Sequence, residues 1–285
     1  MCRSRLLIEI EANTKAWVKT KNEPLDFYIE FTRLLVDFDQ AYCGSYCYFG
    51  YINAWCDLLE EHDIHGLGTV QVEAILTNKT FDEYQSYFKG YRSQYHKDIR
   101  RHRANEVRNT KSFLKKIEKA IQVYSKSEVV RVDLFYLKDF HDLIDIENFY
   151  DDIGKFRKEI SKREGLFNNL VDYAWALEQG ADKGYHCHLL LIFNGHKHQN
   201  GWAIAEQLGK LWKQLTAGQG HHFNCHDTEQ IKRYASLGIL GIGKIHRDCS
   251  REVEKLCNAG AYLVNPEKED QYLRVKNKAR MRTFQ

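Results

Sequence analysis

Apolar residues recur at helical spacing through the first 125 residues, and then the period changes. Residues 27–38 (FYIEFTRLLVDF), 52–62 (INAWCDLLEEH) and 81–102 (FDEYQSYFKGYRSQYHKDIRRH) each carry an apolar stripe at i, i+3, i+4 spacing, which predicts helices. Residues 109–126 (NTKSFLKKIEKAIQVYSK) predict a further amphipathic helix. Asn109 or Thr110 is its expected cap, since a short side-chain oxygen satisfies the free amides of a first turn. From Ser127 the pattern shortens to strand alternation. VVRVDLFY (129–136) predicts a strand, and 145–164 a helix capped by Asp145. VDYAWALEQ (171–179) predicts a strand with Val171, Tyr173, Trp175 and Leu177 on one face and Asp172, Ala174, Ala176 and Glu178 on the other. After the turn GADKG, YHCHLLLIF (185–193) predicts its antiparallel partner. A helix over 201–218 and a possible strand over 221–227 complete the order β-α-β-β-α-β. The expected fold is therefore α+β, with a central antiparallel sheet of split βαβ, ferredoxin-like type. A last helix, roughly 251–264, is stopped by Pro266. The chain divides on this reading into a helical N-terminal region, 1–125, and a sheet-bearing domain, 126–285.

Composition adds limits. With 43% hydrophobic residues in 285, a sizeable core is expected. The only prolines are Pro24 and Pro266, so no linker marks a boundary. A formal net charge of +3 does not by itself call for a polyanionic partner; the cations must cluster. They do so twice. Residues 92–119 hold ten Lys/Arg against three acids, and 271–285 hold five against none. The first cluster reads either as a solvated helix face or as a phosphate-contacting one. No apolar run is long enough to span a bilayer, and acids interrupt the only apolar stretch of residues 1–15. A cytoplasmic protein without a membrane partner is expected. The eight cysteines read as free thiols. Cys43, Cys47 and Cys56 lack the paired spacing of a zinc ribbon and read as buried small hydrophobes.

The chemistry concentrates in GYHCHLLLIFN. Side chains at i and i+2 of a strand leave the same face, so His186 and His188 stand side by side, half of a metal site. Glu178, at the end of the partner strand, is the candidate third ligand, because directly opposed residues of an antiparallel pair share a face. Such a set suits Mg²⁺ or Mn²⁺ where the substrate is a phosphate. His196 and His198 repeat the spacing in a polar loop, and His221, His222, Cys225 and His226 form a second group; both read as surface histidines. Tyr262 sits in the last turn predicted before Pro266. A phenol there is a candidate nucleophile for phosphodiester transfer, which conserves the energy of the broken bond in a phosphotyrosyl ester.

These segments have a counterpart. The residues VVRVDLFY, Glu178, YHCHLLLIF, AYLVNPEKEDQYLR and Arg282-Thr283-Phe284 together resemble the HUH endonucleases. Within them the likeness is to the replication initiators of filamentous phages and their prophage-remnant relatives. The resemblance covers roughly Val129 to the C-terminus. It implies site- and strand-specific nicking of single-stranded or supercoiled origin DNA to initiate rolling-circle replication. A tyrosine takes the 5′-phosphate and frees a 3′-OH, which a host polymerase, with a helicase, extends. His186, His188 and Glu178 match the metal ligands, and Tyr262 matches the nucleophile. VVRVDLFY matches a motif that packs beside the site. The family places Lys three residues after the tyrosine where this chain has Asn265, and Lys268 is the candidate substitute. Tyr272 is the reserve nucleophile. Arg274, Lys276, Lys278, Arg280 and Arg282 are expected to contact DNA, with Trp175, Tyr185 or Trp202 stacking on bases. Two alternatives stand beside it: a non-catalytic single-strand-binding protein (a decayed prophage copy), or a metal-dependent phosphohydrolase.

Overall fold

The computed structural model describes residues 2–263 and 271–285, with residue 262 described through its backbone only. Six helices open the chain: α1 (Arg3–Lys19), α2 (Phe27–Ala41), α3 (Ile52–Glu61), α4 (Thr69–Leu76), α5 (Phe81–Gly90) and α6 (Arg92–Val123). A short strand β1 (Cys47–Tyr48) lies between α2 and α3. There follow β2 (Lys126–Tyr136), α7 (Ile146–Lys162), β3 (Leu170–Gly180), β4 (Gly184–Asn194), α8 (Gly201–Leu215) and β5 (Gly220–Asn224). The chain closes with α9 (Thr228–Ser236), β6 (Gly243–His246), α10 (Ser250–Leu263) and β7 (Val275–Lys276), which pairs with β1.

Two helix boundaries differ from expectation. The helix expected over 81–102 is divided at Tyr91, whose N–H turns to the Phe88 carbonyl and whose phenol is tied to Asp57. The cap expected at Asn109 or Thr110 does not exist, because α6 runs unbroken for 32 residues. Thr110 instead donates back to the Glu106 carbonyl at 2.9 Å. The propensity cost of Asn and Thr inside a helix is under about 1 kcal/mol each, less than α6 gains by packing Phe113, Ile117 and Ile121. Asp145 does cap α7, accepting from the Asn148 amide at 2.8 Å.

The architecture is mixed α+β, with N-terminal helices against a central five-stranded antiparallel sheet. Its order is β3-β4-β2-β5, and β6 also pairs with β2. Thus β5 and β6 lie end to end along one edge of β2, on Val132–Tyr136 and Lys126–Val129 respectively. Both faces of the sheet are covered. On one, Val132, Leu134, Trp175 and Leu191 belong to an apolar core continuous with Trp17, Phe31, Trp55 and Phe88 of the N-terminal helices. On the other face, Val129, Ala174, Leu190 and Ile192 pack against Phe113 and Ile117 of α6 and Leu256 and Leu263 of α10.

That burial corrects several expectations. Trp175 and Tyr185 are core residues, closed to a nucleic acid base, whereas Trp202 is exposed. Cys47 is exposed and Cys43 and Cys56 half-buried, all three free thiols. Among the described residues no helix is long and apolar enough to cross a membrane.

Candidate metal centre

The β3–β4 hairpin sets the site. Three residues, Ala181 to Lys183, connect the strands, and Gly180 pairs with Gly184. This odd-length connection places Glu178 directly opposite His186, with His188 opposite Ala176. Gly184 adopts φ +62°, where a side chain is strained, and any Cβ would meet Ser4 Oγ of α1 at 3.2 Å.

Three ligand atoms converge. Glu178 Oε2 lies 3.2 Å from His188 Nε2 and 3.5 Å from His186 Nε2. The far side of each ring is already engaged. His186 Nδ1 is 3.1 Å from the Gly184 carbonyl, and His188 Nδ1 is 2.6 Å from Asp133 Oδ1. Carbonyl and carboxylate oxygens only accept, so Nδ1 carries the proton in both rings. In the neutral rings each Nε2 then presents a lone pair toward a carboxylate. A positive charge among the three atoms resolves that repulsion, and a divalent cation supplies it. A carboxylate behind a ligating histidine is also the usual support of a metal-bound imidazole. The donor set therefore fits a divalent ion.

The electrostatics agree. Burial lowers the pKa of His186 and pulls His188 the same way, but Asp133 and Glu178 raise His188 on balance. Burial alone would raise the Asp133 carboxyl; His188, Arg131 and Lys183 together hold it well below the usual carboxylate range. Lys183 Nζ is 3.2 Å and Arg131 Nε 3.8 Å from that carboxyl.

The two histidines open into a cleft of about 620 Å³. Arg131, Asp133 and Lys183 line its floor, Gln230, Arg233 and Tyr234 of α9 its facing wall, and Asn258 and Ala259 of α10 another side. Glu178 lines a different, smaller recess, with His102, Glu106 and Tyr272.

The other expected residues fall as follows. Position 262 is in the last turn of α10, but its side chain lies outside the described residues, as do Asn265 and Lys268 altogether. Tyr272 is buried, donates its O–H to Glu11 and stacks near Phe49 with ring centroids 4.7 Å apart. Burial and the Glu11 carboxylate push its phenol far above the ordinary value, so it is held as a packing residue. Arg274 is a second correction: it is fully buried, its Nε 2.7 Å from Glu11 Oε2, and cannot meet DNA. Lys276 is half-buried, its pKa lowered by burial and by Arg101. Lys278, Arg280 and Arg282 are exposed. His226 is no surface histidine. It is buried, accepts from the Arg131 amide at 3.2 Å, and burial pulls its pKa down to about 4.

Sequence reasoning missed Asp133 and α9. The strand VVRVDLFY carries more than packing, because Asp133 reaches a ligand ring. Its signal was an acid flanked by Val132 and Leu134 in an otherwise apolar strand, a placement that costs free energy unless the charge is paired.

No curated protein and no solved structure matches the chain significantly. Residues 84–225 match the model of the YagK/YfjJ C-terminal domain. The matched span crosses residue 125, takes in Asp133, Glu178, His186 and His188, and stops before α9 and α10. Over that span the chain is similar to this family, and the same span holds the candidate metal centre.

Proposed function

We infer that this protein is a metal-dependent DNA nicking and strand-transfer protein that initiates rolling-circle replication of a phage or prophage-like element. The observation that carries the reading is the convergence of His186, His188 and Glu178 at the edge of a cation-lined cleft, with Asp133 behind His188. Two further features support it. The spatial order β3-β4-β2-β5 along a β-α-β-β-α-β chain path supports the split βαβ arrangement that this reading expects. Position 262 also follows Asn258 by four residues and Ala259 by three on α10, and both of these line the cleft.

In this reading His186, His188 and Glu178 would hold Mg²⁺ or Mn²⁺, which would polarise a non-bridging phosphate oxygen and orient the phosphate. Asp133 accepts from His188 Nδ1 and so keeps the Nε2 lone pair turned toward Glu178, where the ion would be held. Lys183 and Arg131 offset phosphate charge from the cleft floor, as Arg233 does from the facing wall. Tyr262 attacks the phosphorus in line. The new O–P bond forms as the bond to the 3′ oxygen breaks, and the proton lost by the phenol is balanced by the one the leaving oxygen takes up. The 5′ end remains as a phosphotyrosyl ester, and the free 3′-OH is left for a host polymerase. The exposed Lys278, Arg280 and Arg282 contribute phosphate contacts beyond the cleft, and affinity for DNA falls steeply with salt.

The test is incubation with single-stranded origin-like DNA and Mn²⁺, followed by a denaturing gel. A covalent adduct lost in Tyr262→Phe and in His186→Ala is the expected result. An adduct that survives Tyr262→Phe removes Tyr262 as the nucleophile. Nicking with no adduct at all overturns the tyrosine mechanism in favour of a water-using nuclease.

A further inference from the structure

We propose that the wall of the cleft formed by α9 and the segment after it is a nucleobase subsite, built to hold one unstacked base of a single strand beside the metal centre. This rests on the nicking reading above and names how the substrate is gripped.

The argument begins with an anomaly of burial. α9 spans nine residues without one buried side chain, unlike every other helix from α1 to α8. Beyond it Leu237 and Ile239 are 60% and 48% exposed. Scattered exposed aliphatics are ordinary, but these two, with the half-buried Tyr234, line the cleft whose floor carries the histidines. The cleft is thus two-sided in chemistry. One side is the metal centre with Arg131 and Lys183; the other is an aliphatic and aromatic surface with Arg233 at its edge.

A ligand matching both sides needs anionic groups and a flat, weakly polar body within the same few ångströms. Inorganic phosphate or a sugar phosphate would leave Leu237 and Ile239 wet. Stacked bases of a duplex present their edges and hide their faces, so they would not reach this wall. An unstacked nucleotide of a single strand satisfies it, with its phosphate toward the cations and its base face on Tyr234, Leu237 and Ile239. About 620 Å³ lies in the range of pockets that enclose small organic ligands, which is room for such a unit. Because every base has an apolar face, the subsite selects single-strandedness rather than sequence.

The experiment compares two labelled single strands of equal length and charge by fluorescence anisotropy in EDTA, so that no strand is cut. One carries all its bases and the other is abasic throughout. The wild-type protein should prefer the base-bearing strand roughly tenfold, as expected for one stacked base. Leu237→Ser/Ile239→Ser should lose that preference while binding the abasic strand as the wild type does. Both positions are largely solvent-exposed, so the fold should tolerate the change, and thermal melting checks it. Equal wild-type affinity for the two strands, or an undiminished preference in the double variant, overturns the proposal. The nicking reading is judged separately by the phosphotyrosyl adduct. Adduct without base preference removes only the subsite, and base preference without adduct removes only the nicking chemistry.

Discussion

Asp133→Asn should weaken divalent-metal binding about tenfold without unfolding the protein, since a carboxylate behind a ligating histidine is generally worth about 10–100-fold in metal affinity. The side chain keeps its volume, and the amide oxygen can still accept from His188 Nδ1, now 2.6 Å from Asp133 Oδ1. The tautomer that turns Nε2 toward Glu178 is therefore kept, and what is lost is charge. A hydrogen bond to a charged group contributes about 1.5–3 kcal/mol against about 0.5–1.5 for a neutral one, so the loss is about 1–2 kcal/mol. Lys183 and Arg131 already neutralise part of the carboxylate, which favours the lower half of that range. Asp133→Leu removes the acceptor as well and should cost more. Isothermal titration with Mn²⁺ measures the affinity, and circular dichroism in EDTA confirms the fold. Mn²⁺ affinity in Asp133→Asn within about twofold of wild type would refute the role given to Asp133, because the general expectation is no less than about tenfold.

Two other predictions concern the scaffold. His226 is neutral in the fold, with a pKa of about 4, whereas an unfolded histidine titrates near ~6.5. The unfolded chain binds the extra proton, so stability is full above pH ~6.5 and is lost as pH falls toward 4, by on the order of 3 kcal/mol. Urea unfolding across that window should show a larger loss in wild type than in His226→Gln, because other buried histidines such as His186 titrate in both; a pH-independent difference between them contradicts it. Arg274→Met leaves the Glu11 carboxylate buried without its guanidinium and should cost about 3–5 kcal/mol, most of it recovered in Glu11→Leu/Arg274→Met. A loss near ~1 kcal/mol, the value of a surface pair, would show the pair to be solvated.

What could be read from the sequence follows from the range of the interactions involved. The β3–β4 hairpin was legible because its determinants are local: strand alternation, a five-residue turn sequence and the two-residue period that puts His186 and His188 on one face. Glu178 was reachable for the same reason, as its position depends on a three-residue connection. Asp133 was not, because β2 meets β4 across some 55 residues of sequence and no local rule fixes that register. The fate of the basic tail was equally hidden. Arg274 reads as one of five evenly spaced cations, and only its pairing with Glu11, 263 positions away, removes it from the surface. The single helix drawn over 81–102 failed where a tertiary tie, Tyr91 to Asp57, competed with periodicity.

The long-range contacts also explain why a helical region stands in front of the sheet. The ligand-bearing hairpin ends in a turn that needs a glycine at positive φ, and on its own it would be free to fray. In this fold α1 closes it. The Gln179 amide donates to the Ser4 carbonyl at 2.6 Å, Arg5 Nε donates to the Ala181 carbonyl at 2.8 Å, and Ser4 Oγ sits where a Gly184 side chain would be. The same Gln179 accepts from the Arg274 amide at 2.8 Å, and Arg274 returns to Glu11 of α1. Helix, hairpin and C-terminal segment thus form a closed loop of hydrogen bonds around the residues next to Glu178 and His186. Ligand atoms that must sit within a few tenths of an ångström of one another need such external support, since a two-stranded hairpin alone is marginal in water. On this argument α1 is part of the foundation of the candidate metal centre, and residues 126–285 without it would be expected to bind a divalent ion more weakly than the full chain.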